Sequence, residues 1–232
     1  MNRPDRTPLS RDRIIDAAIE LADEHGPSAL TMRRLGQLLD VEAMSLYHHV
    51  NGREDLLEGM VARLVESVRV PSHEELGPTD GWQAFLQHVA HEIRQLATDH
   101  PNLFPLVATR PPAAPWLRPP LRSLRVVDAF LCGLVARGLS GEQAVGVYKV
   151  FTGFLLGHLL LQVAEEGAST APPQEPLDEG DASVPNRDQQ LSLDDYPTLC
   201  KLADGLRTHD PDGEFESALE SLLDRLDGEL SQ

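Results

Sequence analysis

Positive charge is in short supply in this chain: 20 Lys and Arg face 37 Asp and Glu, a net charge of −17. So acidic a polypeptide repels phosphate, which excludes a general nucleic-acid coat. Any contact with DNA has to come from a small, well-placed basic surface. Cysteine is limited to Cys132 and Cys200. Two cysteines in unrelated segments make neither a disulfide framework nor a thiolate metal cluster, so both are expected as buried, reduced thiols. Aromatic residues are few and β-branched runs sparse, while Leu and Ala abound, which points to an all-α fold. The longest apolar run, Val150 to Ala164, is short for a bilayer and is interrupted by His158 and Gln162. The polar, Arg-bearing segment from Met1 to Ser10 has no apolar stretch behind it. The expectation is a soluble, cytoplasmic protein with no membrane partner. A Gly-rich phosphate loop, a G-x-S-x-G elbow and an H-E-x-x-H pair are all missing from the sequence. Paired carboxylates are plentiful but solvent-facing by pattern, so neither an enzyme nor a cofactor is expected.

The chain of 232 residues suits a small head plus a larger body. Charge divides the same way. Residues 1–70 hold 9 Lys and Arg against 12 Asp and Glu, whereas residues 71–232 hold 11 against 25. Four arginines (Arg3, Arg6, Arg11, Arg13) fall within the first 13 residues. The boundary is set at residue 70, with Pro71 to Thr79 as a linker.

Helical periodicity and caps divide the chain further. A first helix is expected over Arg11–His25, capped by Ser10 and stopped at Gly26-Pro27. Thr31 caps a short helix, Met32–Leu39. Asp40-Val41 makes a tight turn, and Glu42–His49 forms a third helix ended by Asn51-Gly52. A fourth runs from Arg53 to about Arg69. In the body, Trp82, Phe85, Val89 and Ile93 form a stripe on a helix reaching Thr98. Pro101, Pro105, Pro111, Pro112, Pro119 and Pro120 then forbid a long helix. Leu121–Gly138 is helical again. Ser140-Gly141-Glu142-Gln143 is a capping box opening a long apolar helix to about Glu166. Residues 167–190, rich in Pro, Asp, Glu, Ser and Gly, are expected to form a mobile loop. Helices over Tyr196–Leu206 and Glu214–Leu226 close the chain.

Two short helices joined by a tight turn, Thr31 to His49, have the logic of a helix-turn-helix. Leu35 and Leu38 are expected inward on the first, Val41 in the turn, and Leu46 and Val50 behind the second. The opposite face of the second helix presents Ala43, Met44, Ser45, Tyr47, His48 and His49, a small, hydroxylated and aromatic surface suited to the major groove.

The segment Leu30-Thr31-x-Arg33-x-Leu35-x-Gln37-x-Leu39-x-Val41-x-x-x-Ser45-Leu46-Tyr47-x-His49-Val50, with Gly26 and the aliphatic first helix, resembles the DNA-binding head of the TetR family. Trp82-Gln83-x-Phe85-Leu86, Thr109-Arg110-Pro111, Phe130-Leu131-Cys132 and Phe154-x-x-Gly157 are similar to the C-terminal region of its tetracycline-repressor branch. The resemblance implies a three-helix head on a larger helical domain that binds a small-molecule effector and forms a homodimer. That homodimer would grip palindromic double-stranded operator DNA, with repression as the outcome. By position, it implies that Arg33 reads a guanine, that Ala43, Met44 and Ser45 read base edges or thymine methyls, and that Tyr47, His49 and Arg53 contact phosphates. Thr31 is cap and phosphate partner. His48 stands where relatives carry an aromatic.

In that branch a histidine shortly before Thr-Arg-Pro coordinates a magnesium-bound drug. Leu106 and Val107 stand here, and Val89 and Ile93 replace polar drug contacts. These departures from the branch point to an apolar or amphipathic effector, or to none, in a pocket drawn from Phe85, Val89, Ile93, Leu106, Val107, Trp116, Phe151, Phe154 and His158, with no metal. His88 and His91 read as a solvated pair. The rival to a regulator is an interaction protein that keeps this fold without binding DNA. The acidic balance favours the rival; intact Arg33, Ser45, Tyr47, His49 and Arg53 oppose it.

Overall fold

The computed structural model describes residues 8–72, 75, 81–110, 123–170 and 196–231, and among them every regular element is helical. The helices are α1 (Arg11–His25), α2 (Met32–Leu39), α3 (Ala43–Leu46), α4 (Arg53–Ser67), α5 (Trp82–Asp99), α6 (Phe104–Thr109), α7 (Leu124–Ala136), α8 (Gly141–Glu165), α9 (Pro197–Arg207) and α10 (Pro211–Leu230). A 3-10 turn, Pro27–Ala29, links α1 to α2. The all-α expectation holds. The proposed linker and loop fall largely on residues outside those described, as do Trp116 and the prolines from Pro111 to Pro120.

Caps set most boundaries where the sequence places them. Ser10, Thr31, Ser123 and Ser140 each accept a hydrogen bond from the backbone N–H three residues on, which satisfies one of the orphan donors of a helix start. Gln143 completes the box by accepting from the Ser140 N–H at 2.9 Å. Gly26, at φ 77°, and Gly52, at φ 111°, end α1 and precede α4 in backbone conformations that side chains resist. The third helix is shorter than its sequence pattern. Only Ala43–Leu46 is α-helical, and Tyr47 to His49 continue as a turn.

α1 packs on α2 and α4 in the head, where Ile14, Ala18, Leu35, Leu56 and Leu57, with Leu46 of α3, are fully buried. In the body α8 touches α5, α6, α7 and α10. Alone among the described helices it is long and apolar enough to cross a membrane, but Val147, Phe151, Leu155 and Leu159 are buried in this core. Phe130 is the junction, 5.6 Å from the Phe85 ring, 5.6 Å from Phe151 and 5.8 Å from Tyr148. A side chain at Gly133 would overlap Phe85, so α5 and α7 meet at a glycine. α10 lies against α5 and α8 through Phe215, which the Arg94 guanidinium covers at 4.6 Å.

Head and body are joined by polar clasps as well as by α4. His100 Nδ1 meets Asp23 Oδ2 at 2.7 Å, and Asn102 donates to the Asp23 carbonyl at 2.9 Å. Arg110 pairs with Glu54 at 2.9 Å, and Arg125 donates to the Glu66 carbonyl at 3.0 Å. Burial raises the Asp23 carboxyl above its ordinary range, against the lowering pull of His100.

Two further sequence expectations fail. Cys132 and Cys200 are both exposed, not buried. Cys132 falls on the outer face of α7, and α9 has no buried residue. Leu38 is 52% exposed. On α2 the inward positions are Leu35, Gly36 and Leu39, because the i, i+4 step from Leu35 is the one that faces α1.

Candidate nucleic-acid interface

The interface is built by the turn between α2 and α3. Asp40 takes the left-handed conformation (φ 54°, ψ 47°), and Val41 N–H donates to the Gly36 carbonyl at 2.9 Å, a Schellman-type stop. A Cβ at Gly36 would lie 2.9 Å from the Val41 carbonyl oxygen and 3.2 Å from the Ala43 nitrogen. Glycine is what lets the two helix backbones meet at this crossing.

Behind α3, a polar staple holds its end in place. Arg11 donates to both carboxylate oxygens of Asp55, at 2.8 and 2.5 Å, and to the His49 carbonyl at 3.2 Å. Asp55 also accepts from the Asn51 N–H at 2.8 Å. These donors hold the Asp55 carboxyl down at about 2. One acidic group thus ties α1, the α3–α4 turn and the start of α4 together.

The outward face is free. Met44 is 72% exposed and Tyr47 49%. His48 is exposed, while Ala43, Ser45 and His49 are half-buried. Leu46 and Val50 are buried, as the pattern requires. Arg33 is exposed and its guanidinium makes no hydrogen bond or ion pair among the described residues. It lines a cleft of about 600 Å³ with Gly36, Gln37, Asp40, Glu42 and Ala43. Gln37 is the residue of that cleft which sequence reasoning left without a role. Its signal was the i, i+4 spacing from Arg33. Thr31 serves α2 as a cap, accepting from Arg34 N–H at 3.2 Å. Arg53 is turned toward the protein: Nη2 donates to the Pro27 carbonyl at 3.0 Å and Nε to that of Leu30 at 3.4 Å.

The body residues expected around an effector divide into two groups. Phe85, Val89, Leu106, Val107 and Phe151 are buried, and Ile93 and Phe154 partly so, around the α5–α8 core. His158 stands apart on the α10 side, between the Phe154 and Phe215 rings at 5.6 Å from each. Burial lowers its imidazole pKa, which favours the neutral ring. It lines a separate cleft of about 170 Å³ with Gln162, Glu165, His209 and Glu214. His91 is exposed and sits 2.9 Å from Glu216, and His88 lies 3.7 Å from Glu92. Among the described residues no group of three or more His, Cys, Asp or Glu could hold a metal ion.

Comparison with known proteins identifies this architecture. Residues 14–60 match the family model for bacterial regulatory proteins of the tetR family, and residues 75–228 match the model for the tetracyclin repressor-like C-terminal domain. The chain is 29% identical over 234 residues to the HTH-type transcriptional repressor DrrR1 of Streptomyces coeruleorubidus, covering 99% of this chain and 83% of that protein. It is 31% identical over 158 residues to the class E tetracycline repressor protein of Escherichia coli, covering 67% of this chain and 70% of the repressor. The Streptomyces coelicolor TetR family protein ActR, solved in complex with actinorhodin, superposes with a TM-score of 0.71 at 25% identity, covering 97% of this chain and all of ActR. Proteins of this kind are soluble, dimeric, effector-responsive regulators of transcription and not enzymes. Sequence, fold and interface agree: the chain belongs to the TetR family of transcriptional regulators.

Proposed function

We propose that this regulator represses from a palindromic operator, reading it with the exposed face of α2 and α3, and that an apolar or amphipathic effector releases it. The observation that carries the reading is the contrast across α3. Leu46 and Val50 are buried, the supporting arginine Arg11 is engaged, and Arg33, Met44, Tyr47 and His48 are left exposed toward solvent. Arg33 suits bidentate contact with guanine. Ala43, Met44 and Ser45 suit base edges and thymine methyls. Thr31, Tyr47 and His49 take phosphates. Arg53, with Nε and Nη2 engaged by carbonyls, adds its charge to the backbone more than a full fork of donors. The head is residues 1–70 and the body residues 71–232.

In the body, the apolar side chains around Phe85, Val89, Ile93, Leu106, Val107, Phe151 and Phe154 suit a small apolar or amphipathic effector; Trp116 and His158 complete the proposed set. ActR, solved in complex with actinorhodin, supports regulation by a small-molecule effector. Effector binding then biases the polar clasps between body and head, Asp23 with His100 and Glu54 with Arg110, toward a head spacing that no longer fits both half-sites. Operator DNA as the partner supports a cytoplasmic location.

The test is operator selection from a random DNA pool at controlled salt, with Arg33→Ala in parallel. A palindromic consensus is expected. The variant loses about 1–3 kcal/mol of discrimination at one base pair per half-site. A folded dimer that enriches no sequence overturns the reading in favour of an interaction protein.

A further inference from the structure

The cleft between α2 and α3 holds more chemistry than one arginine. Gln37 sits four residues after Arg33, hence on the same face of α2, and both line the cleft of about 600 Å³. Gln37 is exposed, and its carboxamide has no hydrogen-bond partner among the described residues. Opposite it, at the first turn of α3, Ala43 offers only a methyl group, which cannot read a base edge by hydrogen bonding. Gly36, between Arg33 and Gln37, adds no side chain to the cleft. The space beside Ala43 is thus left to the longest uncharged polar side chain in reach.

We propose that Gln37 is a second specificity-determining residue, reading the base pair adjacent to the one read by Arg33, with adenine as its preferred base. Glutamine offers one acceptor and one donor side by side, which matches N6 and N7 of adenine in the major groove. The rest of the cleft argues for a base edge over a phosphate. Asp40 and Glu42 line it. Two carboxylates there repel a phosphate but tolerate the amino groups that adenine and cytosine present. The expected half-site therefore carries an A·T pair next to the G·C pair of Arg33.

This inference rests on the operator-binding reading above, and its test separates the two. Wild type, Gln37→Ala and Gln37→Glu are each taken through operator selection at one fixed salt, with thermal unfolding measured alongside. Because the Gln37 side chain is exposed and unpartnered, both variants are expected to melt with wild type. Gln37→Ala is expected to lose roughly 5- to 100-fold discrimination at one pair per half-site, leaving other positions unchanged. Gln37→Glu is expected to shift that position toward cytosine, whose N4 amino group a carboxylate accepts. Uniform weakening at every position, with unchanged melting, would assign Gln37 to the phosphate backbone and overturn the proposal. So would an unaltered consensus in both variants while wild type still enriches a palindrome. Absence of any palindrome for wild type overturns the operator-binding reading itself, and this proposal with it.

Discussion

α3 and α8 hold their places by opposite means. α3 has four residues, of which only Leu46 is buried, while α8 has 25 and buries a run from Ala144 to Val163. So short a helix cannot stabilise itself, because nucleation costs more than one turn returns. It is held from outside, by the glycine crossing at Gly36 and by Arg11, Asn51 and Asp55 at its far end. α8 is held by area, packed between α5, α6, α7 and α10. The arginines divide similarly. In the body Arg94 pairs with Asp212 and covers Phe215, and Arg137 lies 4.5 Å over Phe85. On the proposed reading face the Arg33 guanidinium makes no hydrogen bond or ion pair among the described residues. α3 therefore depends on a few directional contacts, and α8 on volume.

The sharpest way to break that contrast is to remove volume from the body. Phe151 is 1% exposed and stacks on Phe130. Phe151→Ala is expected to lower unfolding free energy by about 3–5 kcal/mol. Urea titration reads the loss. Protein that remains folded should keep the wild-type operator consensus, since no group on the reading face has changed. A changed consensus would show that core packing in the body sets base readout.

Removing a direction from the head should cost less stability and more function. Asp55→Ala strips the acceptor from Arg11 and Asn51 and is expected to cost about 1–2 kcal/mol. Operator affinity should fall with it, because the turn carrying His49 loses its anchor. The pH dependence follows from the carboxyl held at about 2, below the ordinary value. Its stabilisation is fully present above pH ~4 and is lost as pH falls from there through about 2, as the folded state ceases to bind fewer protons than the unfolded. The wild-type minus variant difference in unfolding free energy should shrink across that window. A difference constant with pH would remove the Asp55 carboxylate as its source.

Sequence made the helices legible wherever a cap and a period agreed. Ser10, Thr31 and Ser140 set helix starts to the residue. The helix-turn-helix was readable because the Asp40-Val41 turn and the Leu35–Leu46–Val50 pattern are local. The errors came from long-range packing. Leu38 reads as inward by composition but is turned out by the i, i+4 path that Leu39 takes toward α1. α6 was hidden by the prolines around it, although Pro105 falls in the first turn of α6, where proline is tolerated. The inward turn of Arg53 was not readable, since nothing local marks Pro27 and Leu30 as carbonyls awaiting a donor. His158 reads as part of one apolar helix, and only the placement of α10 puts Phe215 against it.

The smallest expected effects give the cleanest comparison. Thr31 and Ser140 perform the same chemistry in the two regions: each hydroxyl accepts from the N–H three residues on, both at 3.2 Å. Thr31→Ala and Ser140→Ala should each cost about 1 kcal/mol of stability. On stability alone the two variants are interchangeable. On operator affinity they are not. Thr31 fixes the start of the helix that carries Arg33 and Gln37, so its loss loosens the reading face and removes a proposed phosphate contact. Ser140 fixes a helix whose register is already set by Ala144, Val147 and Phe151 in the core. Paired unfolding and operator titrations should therefore show equal stability losses, with an affinity loss for Thr31→Ala alone. Equal affinity losses would mean that the head senses body stability through α4 and the clasps at Asp23 and Glu54, and that directional contacts and volume are not separable in this protein.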